Sequence, residues 1–170
     1  VTMKEFTLYP FQEEGVEYLL DSRYAILGDQ MGLGKTIQSI AVINETNLPT
    51  LVICPAFLKK TWQIELGKFH TNQAEVKIIS YASLKNAADL FKWADLIICD
   101  EFHYLKNLEA KRTKYFHSFM KGSPPERFIG LTGTAIKSRV GEFYSLLVAM
   151  DYNPADTSGP RVTKYWNNYW

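Results

Sequence analysis

At 170 residues with 46% hydrophobic content, the chain fits one domain with a full core, and no run approaches the roughly 20 apolar residues that span a bilayer. Nothing near the N-terminus reads as a signal peptide, so no membrane role is expected. A formal net charge of +1 is a weak footprint for a nucleic-acid binder, whose domain pI usually exceeds about 9, so any such role has to be read from motifs. Cys54 and Cys99 each end an apolar run, at a spacing that makes neither a zinc nor a redox motif. Both are expected to be reduced, buried thiols of an intracellular protein.

In chain order, the first expected element is a helix opening at Pro10, a residue suited to the first helical position, with Glu13 and Glu14 in its first turn. Apolar runs suited to buried parallel strands follow at Tyr24–Leu27, Leu51–Cys54, Val76–Ile79, Leu96–Cys99 and Phe128–Leu131. Helical segments are expected at Thr36 to about Asn47, Leu58 to Phe69, Ser83 to Phe91, Glu109 to Met120 and Glu142 to Met150. Strands alternating with helices imply βαβ units, right-handed crossovers and an α/β fold whose parallel sheet is covered on both faces. Ligands in such sheets sit at the carboxyl ends of the strands. Asp29–Thr36, Asp100–His103 and Thr132–Ala135 all follow strand ends, as does Pro55, so one shared site is expected.

Asp29, Gln30, Met31, Gly32, Leu33, Gly34, Lys35 and Thr36 lie between a strand and a helix. Gly32 and Gly34 allow a tight turn whose N–H groups face a phosphate, and the helix adds its positive end. Lys35 then reaches the terminal phosphates and the Thr36 hydroxyl ligates Mg²⁺. The strict phosphate-loop pattern fails at its first position, which is Asp29; the plainer reading is a glycine-rich turn capping an ordinary helix.

Leu96–Cys99 ends in two adjacent acids, which a buried strand does not need. Asp100 suits Mg²⁺ held through water, and Glu101 suits orientation and deprotonation of an attacking water. The alternative is a solvated acidic pair at a loop start. His103, His70 and His117 each have a plain structural reading.

The pieces DQMGLGKT, DEFH and LTGTA, in this order, resemble motifs I, II and III of superfamily 2 helicases. LYPFQEEGVEYL, LVICPAFLKKTWQIEL, IISYASL, DEFHYLKN and EFYSLLVAMDYNP narrow the resemblance to the SWI/SNF-type ATPases, motors of chromatin remodelling and related DNA translocation. The likeness runs from about Leu8 to Pro154 and covers that family's first RecA-like lobe. It implies ATP and Mg²⁺ as cofactors and double-stranded DNA as the track. By the same likeness Gln12 reads adenine, Pro55, Ala56, Phe57 and Leu58 touch one DNA strand, and Ser80 and Tyr81 make a second strand contact. Thr132, Gly133 and Thr134 couple hydrolysis to lobe movement, with His103 as their neighbour. The sequence departs from the family pattern at Gln30, Phe102, Ala135 and Lys137–Ser138, which suggests a divergent branch, bacterial or viral.

Arg127, Arg139 and Arg161 lie in contexts unlike the arginine fingers that the family's second lobe supplies. Residues 1–150 are therefore expected to form the ATP-binding lobe, and 151–170 to begin a segment leading to a second RecA-like lobe. Alone, such a lobe is expected to turn over ATP hardly at all. Tyr165, Trp166, Tyr169 and Trp170 are expected to belong to a helix that continues in a longer parent. Action in a bacterial or virus-infected cytoplasm, or in a nucleus, fits this reading. Another superfamily 2 motor, such as an RNA helicase or a restriction-type translocase, is the alternative; a small-molecule kinase and a non-catalytic adaptor are more distant ones.

Overall fold

The computed structural model describes residues 6–28 and 34–133. Within them five parallel strands form one sheet: β1 Tyr24–Leu27, β2 Thr50–Cys54, β3 Val76–Ser80, β4 Leu96–Cys99 and β5 Arg127–Leu131. Their spatial order is β1-β5-β4-β2-β3. The helices are α1 Pro10–Asp21, α2 Lys35–Thr46, α3 Lys59–Phe69, α4 Ala88–Trp93 and α5 Lys111–Gly122. No helix among the described residues is long and apolar enough to cross a membrane.

This order explains the two covered faces. The connections through α2 and α3 step the chain from β1 to β2 to β3, in one direction along the sheet. Those through α4 and α5 step it back to β4 and then β5. Crossovers of one hand taken in opposite directions fall on opposite faces. Residues along each strand divide accordingly. Ala25, Leu27, Val52, Cys54, Leu96 and Ile98 pack with α1, α2 and Trp62 of α3. Ile26, Leu51, Ile53, Ile97, Cys99 and Phe128 pack with Phe91 of α4 and Phe116 and Met120 of α5.

Local chemistry sets the ends of the elements. Pro10 starts α1, and the Tyr9 N–H donates to the Gln12 side-chain oxygen at 3.0 Å, which closes the first turn. Helix α2 ends on Asn47 in a left-handed conformation whose N–H reaches the Ile43 carbonyl. The continuous helix expected over Ser83–Phe91 is instead broken, with a 3-10 stretch at Tyr81–Asn86 before α4. Tyr81, Leu84 and Ala87 are the buried residues there, and a repeat of three suits a 3-10 helix rather than an α-helix. Helix α5 starts later than expected because Asn107 forms a turn first, accepting the Glu109 N–H on its side chain and the Ala110 N–H on its backbone. The segment Glu142–Met150 and the tail 151–170 lie outside the described residues.

Arg127, at the amino end of β5, donates to the Leu20 carbonyl at 2.8 Å and so ties down the end of α1. It sits at the sheet edge opposite the strand carboxyl ends.

Phe102 is fully buried against Phe128 and Phe116, with ring centroids 5.4 Å and 6.4 Å away. It lies flat over Gly130, where a Cβ atom would come within 2.9 Å of its ring. Overpacking of this kind costs about 1–3 kcal/mol. Gly130→Ala should therefore destabilise the chain by that amount in urea unfolding. The penalty should shrink in a Phe102→Leu background, giving a non-additive double-mutant cycle.

Candidate functional site

Because all five strands are parallel, their carboxyl ends share one edge, and β5 lies between β1 and β4. Gly34–Thr36 after β1, Asp100–His103 after β4 and Thr132–Gly133 after β5 therefore converge. Asp29, Gln30, Met31, Gly32, Leu33 and Thr134 lie outside the described residues.

Gly34 precedes α2 with φ 78°, a left-handed conformation that disfavours a side chain. The buried Gln12 amide stands against it, so a Cβ at position 34 would collide with Gln12 Nε2. Gln12 is held there by the packing of α1 on α2, where the Gln38 side chain fills the space left by the missing side chain of Gly15. Lys35 and Thr36 begin α2, half-buried at the positive end of the helix. This arrangement suits an anion.

Asp100 is only 9% exposed. Its Oδ2 accepts the Trp62 indole N–H at 2.9 Å and its Oδ1 accepts the Glu101 N–H at 2.9 Å. The Tyr81 hydroxyl donates to the Asp100 backbone carbonyl at 2.6 Å. Burial holds the Asp100 carboxyl above its ordinary pKa; the Trp62 and Glu101 hydrogen bonds and the Lys35 charge pull the other way. Among the described residues no three His, Cys, Asp or Glu side chains form a group that could by itself hold a metal ion. A cation here fits the hard, partly hydrated type that takes one carboxylate and completes its shell with a hydroxyl, waters and phosphate oxygens.

Glu101 has φ 50°, a left-handed conformation that costs a non-glycine residue about 1–3 kcal/mol. Its carbonyl accepts the Tyr104 N–H, and the burial of Phe102 anchors the next residue. His103 Nδ1 lies 3.3 Å from Glu101 Oε2, an ion pair only when the imidazole is protonated. Thr132 is buried with its N–H on the Leu27 carbonyl, at the junction of β1 and β5.

Of the residues expected at nucleic acid, Pro55 is buried, Ala56 and Phe57 are exposed, and Leu58 is half-buried. Tyr81 points inward, stacked on Tyr104 with centroids 5.2 Å apart, so its side chain is not on the surface. Ser80 Oγ lies 3.2 Å from Ser83 Oγ at an exposed position. Trp62 was missed as a site residue. Its one sequence signal was its place on a helix leaving the same sheet edge as the acids.

The SNF2-related domain family matches residues 11–82. A solved structure, described as "Sulfolobus solfataricus SWI2/SNF2 ATPase core in complex with dsDNA", superposes with a TM-score of 0.71 at 27% identity, over 86% of this chain and 36% of that one. Within residues 11–82 the chain belongs to the SNF2-related domain family.

Relatives of this lobe include the SWI/SNF-related matrix-associated actin-dependent regulator of chromatin subfamily A-like protein 1 of Bos taurus, 31% identical over 85% of this chain. Its Caenorhabditis elegans homologue is 30% identical over 85%, and the DNA repair and recombination protein RAD54B of Gallus gallus is 31% identical over 82%. The chain spans only 17%, 24% and 20% of the length of these three. The described residues form one RecA-like sheet with its helices.

Two titrations follow. For an acid whose folded pKa is raised, the folded chain takes up its proton at higher pH than the unfolded chain. Acidification from that midpoint down to 3.8 therefore favours the folded state through this group. NMR of the Asp100 carboxyl should show a midpoint above 3.8 when folded and near 3.8 in urea. Cys54 and Cys99 are free and buried, as expected, and burial pushes the Cys54 thiol up to about 11. Alkylation at pH 8 should be slow on the native lobe and fast once it is unfolded.

Proposed function

We propose that this lobe binds Mg·ATP and forms the ATP-binding half of a motor that moves along double-stranded DNA. One observation carries the reading. Lys35, at a helix N-terminus, and the buried Asp100 with Glu101 beside it meet on one sheet edge, in a chain of the SNF2-related family. Membership in that family implies nucleotide use. The choice of ATP with Mg²⁺ rests on the residue chemistry.

Lys35 and the N–H groups at the start of α2 bind and neutralise the terminal phosphates. The Thr36 hydroxyl and the Asp100 carboxylate hold Mg²⁺, which when bound offsets charge on the phosphate oxygens. Glu101, oriented by its left-handed backbone and by His103, positions the attacking water and accepts its proton. Gln12, beside Gly34, reads the base of the nucleotide in the manner the family likeness implies. The arginine fingers come from a second RecA-like lobe, and an arginine finger supplies about 10³ to 10⁵ in rate in GTPases. The solved SWI2/SNF2 ATPase core in complex with dsDNA supports double-stranded DNA as partner, and the names of the chromatin and DNA-repair relatives support an intracellular place of action.

Lys35→Ala should abolish nucleotide binding measured by calorimetry; equal affinity for both proteins would reject the nucleotide reading. In a protein carrying both lobes, Glu101→Gln should keep ATP binding and lower hydrolysis by about 10²- to 10⁴-fold. Turnover at the parent rate would place the base elsewhere. Duplex DNA binding by this chain alone should be feeble and fall steeply with salt, given a net charge of +1. A sub-micromolar dissociation constant at about 0.15 M salt would contradict it.

A further inference from the structure

We propose that Trp62 and Tyr81 are positioning residues, which fix the Asp100 carboxylate in the one orientation that a magnesium ion bound with nucleotide can use. The inference rests on the nucleotide reading above and names residues that neither motif I nor motif II contains.

The geometry is specific. A carboxylate offers about four lone-pair directions, two on each oxygen. One direction on Oδ2 is taken by Trp62 and one on Oδ1 by Glu101, so both oxygens are pinned and the carboxylate plane is set. The remaining directions are left for a cation and its waters. Trp62 cannot follow a wandering carboxylate, because it is 1% exposed within the core between α3 and the sheet. Tyr81 holds the same residue by its main chain, and its ring is locked by burial and by the stack on Tyr104. Side chain and backbone of Asp100 are thus gripped from two different elements.

Packing alone does not account for this. A phenyl ring would fill most of the Trp62 cavity, whereas only the indole N–H meets the carboxylate. Magnesium demands near-ideal octahedral geometry, so a carboxylate free to rotate costs metal affinity rather than nucleotide affinity as such. Removing an outer partner of a metal ligand typically costs about 10- to 100-fold in metal affinity.

The test uses the whole 170-residue chain and calorimetric titration of ADP, with and without Mg²⁺. The readout is the gain in ADP affinity that Mg²⁺ confers. Trp62→Phe should cut that gain about 10-fold or more while leaving Mg²⁺-free ADP affinity unchanged. A residue important only for folding would lower the melting temperature without changing the ratio. A folded Trp62→Phe chain with the parental gain overturns the inference. Should Trp62→Phe fail to fold by circular dichroism, Tyr81→Phe decides, since it removes one hydroxyl and should also lower the gain; an unchanged gain overturns the proposal. ADP binding that Lys35→Ala abolishes but whose Mg²⁺ gain ignores both variants leaves the nucleotide reading standing and removes this inference alone. No ADP binding by the parent chain removes both.

Discussion

An ionisable carboxylate at the tip of a fully buried strand is costly to desolvate, and the structure around β4 is arranged around that cost. Asp100 takes its backbone hydrogen bond from β2, donating to the Ile53 carbonyl, and receives donors from α3 and from its own loop. Nearby Lys35 supplies the countercharge. Without a cation, this balance still leaves the proton held more tightly than in water. A bound cation, as in the proposed reading, would relieve the same imbalance.

The parallel sheet makes the arrangement possible. Its inner strands are largely apolar on both faces, so most of the chemically suggestive groups stand on the loops and helix starts at one edge. The neighbouring strands β1, β5 and β4 end at the same edge. Residues far apart in the chain, such as Gln12 and Gly34 or Tyr81 and Asp100, are brought together without a long loop.

The strands and most helices were legible because each is a short apolar run or an amphipathic segment between breakers, and buried runs of that kind have few other uses. That Lys35, Asp100 and Glu101 share one sheet edge was legible because their segments each follow a parallel strand. The 3-10 stretch after β3 was not legible, since the spacing of Tyr81, Leu84 and Ala87 differs from an α-helical repeat by only about 0.6 residue per turn. Nor was Trp62, because an indole in an amphipathic helix looks like any other core residue until its N–H is seen to face an acid. The inward turn of Tyr81 depends on a hydroxyl bond to a residue 19 positions away, which no local pattern encodes.

The ring of Phe102 resting on the bare backbone of Gly130 has an evolutionary consequence. A lineage with a small residue at 102 and a side-chain-bearing residue at 130 can reach the present pair without a clash in one order only. Phenylalanine arriving first meets a β-carbon within 2.9 Å of its ring, whereas glycine arriving first only leaves a small gap. The accessible path loses the β-carbon before it gains the ring. Once the ring is in place, reversion at 130 is blocked, and the wedge beneath the acidic box behaves as a ratchet in sequence space.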